Sequence, residues 1–267
     1  LASPDTDGSP YNWGTTASRV TYTTGRAVVA AAGEVERLAK EHAAEILECA
    51  PADLELRPGG QVGIVGVPEK TVTFAAISAR AHWAKGGPIV GTNSYVFDRP
   101  TFDPKRAIAI GLPFPQIGAL SFGAIAVDAE VDTVTGKVEV QRVWSAVDAG
   151  RAINPQSVEC QIQGAFVQGM GLALTEEMVW DGARLANPSL MDYKVPTSLD
   201  APFEIVPIIV ESNEPGGPFG AKGVGEIGIN GVPAAIANAV SQAIGGRIRD
   251  LPLTPERVLR TMLAKPA

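Results

Sequence analysis

The chain has 267 residues, 45% of them hydrophobic and 19% charged, with a formal net charge of −7. It is long enough to bury a core as one large domain or two small ones, and an acidic balance without a basic block excludes a nucleic-acid or anionic-membrane partner. No apolar run approaches the ~20 residues of a membrane span. The two cysteines, Cys49 and Cys160, lie far apart and form no CxxC. Neither a disulfide framework nor a protein-held iron–sulfur cluster is therefore expected, and a reducing, cytoplasmic setting fits.

Residues 3–24 are rich in Ser, Thr, Asp and Gly, have little periodicity and read as a loop. From Gly25 to about Cys49, apolar residues recur at three- and four-residue spacing (Val28, Ala31, Val35, Leu38, Ala39, Ala43, Ile46), which predicts a helix ended by Pro51. Leu54 and Leu56 lead to a turn at Pro58-Gly59-Gly60 and a short strand over 62–67. Thr73 caps a second helix from Phe74 to about Lys85, stopped by Gly86-Gly87-Pro88. Residues 92–115 are Pro-rich and irregular.

Runs 119–132 and 137–148, joined by Thr133-Val134-Thr135-Gly136, predict a hairpin. Asp128, Glu130 and Asp132 alternate with apolar residues, the pattern of a solvated strand face rather than of a metal site. Asn154-Pro155 opens a helix that runs to about Leu174. Its apolar residues are interrupted by Gln161, Gln163 and Gln168 and by Gly164, Gly169 and Gly171. Glycine inside a helix costs about 1 kcal/mol relative to Ala. Several together imply close packing on a neighbouring element or the approach of a ligand. A small hairpin is expected around Asp181-Gly182, and 203–211 reads as a strand that Pro207 confines to an edge or bulge. Helices over 233–244 and 255–263, the latter capped by Thr254, complete the chain.

Between that strand and the helix at Pro233 lies the densest feature, Gly216-Gly217-Pro218-Phe219-Gly220-Ala221-Lys222-Gly223-Val224-Gly225-Glu226. Five glycines suit a backbone that must come close to something with its N–H groups turned outward. A flexible surface loop with a solvated Glu is the alternative. The glycine spacing is the reverse of a dinucleotide fingerprint, and Lys222 follows Ala, so the phosphate-loop pattern fails as well. No GxSxG elbow occurs. The only histidines, His42 and His82, are not a pair at metal-ligand spacing.

The string GPFGAKGVGEIG followed by PAAIANAV resembles the active-site loop and following helix of the molybdenum hydroxylase (xanthine oxidase and aldehyde oxidase) family. Two further segments match in order: CQIQGAFVQGMGLALTEE, over 160–177, is similar to that family's glutamine/glycine helix, and DTDGSPYNWGTTASRVTYTTGRAV, over 5–28, is similar to its Ser/Thr-rich cofactor loop. The resemblance implies a molybdenum–molybdopterin cofactor in its cytosine dinucleotide form. It carries cofactor contacts onto Ala17, Ser18, Arg19, Gln161, Lys222, Gly223, Val224 and Gly225, and the role of catalytic base onto Glu226, with no side chain of this chain as a metal ligand. Burial of Glu226 at such a centre is expected.

The implied activity is oxidative hydroxylation of an electron-poor carbon, in an N-heteroaromatic such as purine or nicotinate or in an aldehyde. Electrons would leave through iron–sulfur and FAD subunits. Complete subunits of this family are longer, so a second molybdopterin subunit, as in a split enzyme similar to nicotinate dehydrogenase, or the N-terminal half of one large subunit is an expected partner. A non-catalytic scaffold that keeps the cofactor cradle is the alternative. The expected architecture is α+β, with mixed or antiparallel sheets and packed helices in two lobes, 1–110 and 111–267, around the cofactor.

Overall fold

The computed structural model describes residues 5–12, 14–96 and 119–264. The chain divides into two compact units, Thr23–Pro100 and a second made of Leu1–Tyr22 with Thr101–Ala267. The N-terminal loop thus groups with the C-terminal part instead of joining an N-terminal lobe of 1–110. Its contacts with the glycine loop, described below, are the reason.

In the unit Thr23–Pro100, helix α1 (Val20–Leu47) is followed by strands β1 (Leu54–Arg57), β2 (Gln61–Ile64) and β3 (Thr71–Thr73), then helix α2 (Phe74–Lys85). The strands form an antiparallel sheet in the order β1-β2-β3. Ala39, Ala43 and Ala44 of α1 are small enough to let the helix pack closely on Leu54, Val62, Val72 and Ile77, which are buried with them. Thr73 caps α2 as expected, its hydroxyl accepting the Ala76 N–H at 3.2 Å. The left-handed Gly86 (φ 76°) closes the other end. Of the irregular stretch 92–115, residues beyond Val96 lie outside the described residues.

The second unit is built on a mixed sheet, order β4-β5-β8, from Gly123–Val131, Val138–Asp148 and Glu204–Val210. The β4–β5 hairpin is antiparallel and β5–β8 is parallel. A parallel pair needs a crossover; helix α3 (Pro155–Leu174) provides it, with the two-stranded hairpin β6 (Trp180–Asp181) and β7 (Arg184–Leu185) on the way back. Pro207 sits in β8, an edge strand in that sheet order. Helices α4 (Ile227–Asn230), α5 (Val232–Ile244) and α6 (Pro255–Leu263) follow.

Val232, Ile236, Val240 and Ile244 recur every fourth residue along one face of α5. They are buried with Val140 and Val143 of β5 and with Phe166 and Met170 of α3. The 18-residue stretch Ile227–Ile244, with mean hydropathy 1.2, is long and apolar enough to cross a membrane by length and composition, unlike the sequence expectation of no such run; 28% of it is buried, and Gly231 divides it into two helices. On the other side of the sheet, Trp144, Ile208 and Val210 remain exposed. Asp128 and Glu130 are also exposed, whereas Asp132 leaves the strand to accept the Val134 and Thr135 amides in the hairpin turn.

Two expectations need correction. Helix α1 begins at Val20, not Gly25: the Thr-rich start looked like loop, but Tyr22 is buried against Gly216, and that contact overrides weak local propensity. The short strand expected over 62–67 spans Gln61–Ile64, and β1 and β3 flank it in a three-stranded sheet. At four and three residues, β1 and β3 are too short for alternation to reveal.

Candidate functional site

Most of the glycines at 216–226 answer to the protein's own packing. A Cβ on Gly216 would collide with the Tyr22 hydroxyl, on Gly217 with the Ala221 carbonyl, on Gly220 with the Asn213 side chain and on Gly223 with the Ser18 carbonyl. Gly225 differs: the nearest atom a Cβ would meet is Ser18 Oγ at 3.5 Å, an ordinary contact. Phe219 (φ 54°) and Gly220 (φ 86°) are both left-handed and turn the chain through a short 3-10 segment at Pro218–Gly220. The close approach expected of this loop is therefore made at Gly216 and Gly223 to Tyr22 and Ser18 near the N-terminus, and at Gly217 and Gly220 to Ala221 and Asn213 close by in sequence.

That segment reaches Glu226. The Ala17 N–H donates to Glu226 Oε1 at 3.2 Å, and the Glu226 N–H donates to Ser18 Oγ at 2.8 Å, across more than 200 residues of sequence. Ala17 (φ 52°) and Ser18 (φ 53°) both take the left-handed conformation, which costs a non-glycine residue about 1–2 kcal/mol. The Arg19 guanidinium turns back to the Gly14 carbonyl at 3.1 Å and holds the bend. Glu226 is exposed in this chain, contrary to the expected burial, so any cover for the carboxylate comes from outside the described residues.

The glutamine/glycine helix α3 is anchored to the same place. Asn154 Oδ1 accepts the Ser157 amide at 3.1 Å, and Pro155 occupies the first turn. Gly228, two residues beyond Glu226, packs on Ile162 and Ala165 of α3, and Val224 and Ile227 pack on the cluster of Val147, Val158 and Ile162. Gln161 precedes Ile162 and is exposed.

Lys222 behaves differently from its neighbours. Its amine donates to Asp148 Oδ2 at 2.6 Å and to the Leu120 carbonyl at 2.8 Å, and its amide donates to the Ala149 carbonyl at 2.9 Å. The amine is committed to the end of β5 and is not turned toward Glu226. Asp148, the partner that sequence reasoning missed, also accepts the Gly150 amide and the Ser212 hydroxyl. Burial pushes its carboxyl up, but the Lys222, Gly150 and Ser212 bonds outweigh this and hold it below the ordinary carboxylate value.

Among the described residues, no hydrogen bond engages the amides of Gly223, Val224 or Gly225. Neither do three His, Cys, Asp or Glu side chains cluster as metal ligands there. What this site offers is a run of backbone donors beside one exposed carboxylate. Donors of that kind suit the heteroatoms and phosphate oxygens of an organic cofactor, so the residues present fit a molybdopterin.

Comparison with known proteins agrees. Residues 1–202 match the molybdopterin cofactor-binding domain, a match that ends before the glycine loop. The chain is 34% identical over 259 residues to the nicotine 6-hydroxylase large subunit of Paenarthrobacter nicotinovorans, covering 94% of this chain and 30% of that protein. It is 34% identical over 263 residues to a putative xanthine dehydrogenase molybdenum-binding subunit of Escherichia coli, covering 97% and 32%. Among solved structures, quinoline 2-oxidoreductase from Pseudomonas putida superposes with a TM-score of 0.83 at 31% identity, covering 97% of this chain and 32% of that one. The chain spans about a third of the length of the relatives it matches. The family match over residues 1–202, with similarity across nearly the whole of this chain to those subunits, shows that the chain belongs to the molybdopterin cofactor-binding family of xanthine dehydrogenase-type molybdenum subunits.

Proposed function

We propose that this chain forms one part of the molybdopterin site of an oxidoreductase that hydroxylates an electron-poor carbon with water-derived oxygen, and that Glu226 is its proton acceptor. The observation that carries this reading is the placement of Glu226. Its backbone and one carboxylate oxygen are tied to the N-terminal loop, and the residue stays exposed next to the amides of Gly223, Val224 and Gly225. When bound, the cofactor supplies the two-electron redox chemistry and the activated oxygen. The chain's own residues would bind and aim: the three amides would hold the organic part of the cofactor, exposed Gln161 would border it from α3, and Ala17, Ser18 and Arg19 would shape the loop that grips Glu226. With Oε1 accepting from Ala17, Oε2 is the oxygen on which Glu226 takes up the proton.

Two relatives bear the names of N-heteroaromatic compounds, nicotine and quinoline. Others are named for an aldehyde and for carbon monoxide, so the reading stays at oxidation of an electron-poor carbon, with an N-heteroaromatic or an aldehyde as substrate. We assign the cofactor the cytosine dinucleotide form, and place iron–sulfur and FAD carriers on partner subunits in the cytoplasm. The exposed apolar residues Trp144, Ile208 and Val210 on the outer sheet face support cover by a second molybdopterin-binding part, on another chain or on the rest of the same subunit.

The assembled enzyme with Glu226→Gln tests the reading. Molybdenum content is expected to stay normal while turnover falls by at least about a hundredfold, the scale of a lost general base. Near-normal turnover with full molybdenum would refute the base assignment, and an assembly without molybdenum in the unaltered protein would sink the cofactor reading. A scaffold without chemistry is the less favoured second reading, because a scaffold has no need of an anchored carboxylate at 226.

A further inference from the structure

The geometry points to Ser18 as a positioning residue for Glu226, one that aims the carboxylate instead of holding the cofactor. This rests on the reading of Glu226 as proton acceptor. Ser18 Oγ accepts the Glu226 N–H at 2.8 Å, and the amide of the preceding residue, Ala17, donates to Glu226 Oε1 at 3.2 Å. One dipeptide therefore grips both the backbone and the side chain of the same residue. Two fixed points, one at the amide and one at Oε1, restrict rotation of the side chain between them.

Nothing local favours this arrangement. Ala17 and Ser18 are consecutive non-glycine residues in the left-handed region, at φ 52° and 53°, a conformation that persists only where surrounding contacts impose it. The contact that imposes it is visible. The Ser18 carbonyl lies against the Cα of Gly223, where any side chain would collide, so the loop bearing Glu226 holds Ser18 from below while Ser18 holds Glu226 from the side. Ser18 Oγ gives one acceptor lone pair to the Glu226 amide, which fixes the hydroxyl beside Glu226 while its own O–H stays a donor. Strain concentrated at the one dipeptide that touches a proposed base is what a positioning device requires.

Ser18→Gly in the assembled enzyme separates positioning from mere support, because glycine removes the hydroxyl and at the same time relieves the positive φ. The expected result is an unchanged molybdenum content and a thermal midpoint at or above that of the unaltered enzyme. With it should come a KM within about twofold, a kcat lower by roughly tenfold, the scale of one lost hydrogen bond, and faster hydrogen exchange at the Glu226 amide. Ser18→Ala, which keeps the strain, should lose kcat to a similar extent. A normal kcat or an unchanged Glu226 amide exchange rate in Ser18→Gly overturns the proposal. Loss of molybdenum also overturns it, by showing that Ser18 holds the cofactor. Failure of the base reading is recognised separately, by an active Glu226→Gln.

Discussion

Lys222 Nζ lies 2.6 Å from Asp148 Oδ2, with side chains only 6% and 7% exposed. The pair ties the glycine loop to the last residue of β5. Its neighbours extend the tie, since Lys222 also reaches the Leu120 carbonyl and lies over the Phe122 ring at 5.9 Å, and Asp148 takes the Gly150 amide and the Ser212 hydroxyl. Removing one partner leaves the other as an uncompensated buried charge. Lys222→Met or Asp148→Asn alone is therefore expected to cost about 3–5 kcal/mol. The double variant should recover most of that loss, because neither charge then remains to be desolvated. Denaturation midpoints of the three variants check this, and additive losses would contradict it.

Acid should act through the same carboxylate. Asp148 titrates below the ordinary range in the folded state, so its contribution is present above the unfolded value, about 4, and is lost as pH falls through the lower folded value. The unaltered protein is expected to lose stability below about pH 4. In the Asp148→Asn/Lys222→Met variant that acid-side slope should be shallower. Asp5, Asp132 and Asp200 are also held low, chiefly by backbone amides, but they are exposed and their share is screened. Denaturant midpoints measured from pH 3 to pH 7 on both proteins distinguish the two slopes.

The glycines of α3 are not equivalent. A Cβ on Gly169 would press into Val232 of α5 and one on Gly171 into Glu176 and Pro196, but one on Gly164 would meet nothing within 4 Å. Gly164→Ala should therefore raise stability by about 1 kcal/mol through helix propensity alone. Gly169→Ala should lower it by about 1–3 kcal/mol, because the tight seam between α3 and α5 is forced apart. Denaturant titrations of the two variants should move in opposite directions.

Elements with a local signal were legible in the sequence. Thr73, Asn154 and Thr254 each accept from the third residue ahead, and the helices they cap begin where capping chemistry places them. The β4–β5 hairpin and the edge position of Pro207 followed from alternation and from the missing N–H of proline. What could not be read was long-range. The pairing of Lys222 with Asp148 spans 74 positions, and that of Glu226 with Ser18 spans 208. No periodicity encodes either, so neither the Asp148 partner of Lys222 nor the grip of the N-terminal loop on Glu226 was visible in the sequence. The start of α1 was missed for the same reason: Tyr22 is helical because of Gly216, not because of its neighbours in sequence.

The last prediction separates the two glycines beside Glu226. At Gly223 a methyl group would overlap the Ser18 carbonyl, a backbone atom that can yield only if the whole N-terminal loop shifts. Gly223→Ala is therefore expected to destabilise by about 1–3 kcal/mol and to loosen Ala17 and Ser18 from Glu226. At Gly225 the methyl group finds space, with Ser18 Oγ at 3.5 Å, and the residue needs no left-handed backbone. Gly225→Ala should leave the denaturation midpoint within about 0.5 kcal/mol of the unaltered value. A bound cofactor close to the Gly225 amide has no such tolerance, so the same variant should retain less molybdenum in the assembled enzyme. Normal stability with reduced molybdenum identifies Gly225 as a contact made to the ligand and not to the fold. Normal stability with full molybdenum assigns the glycine loop a purely internal role, with Glu226 as the one residue it presents.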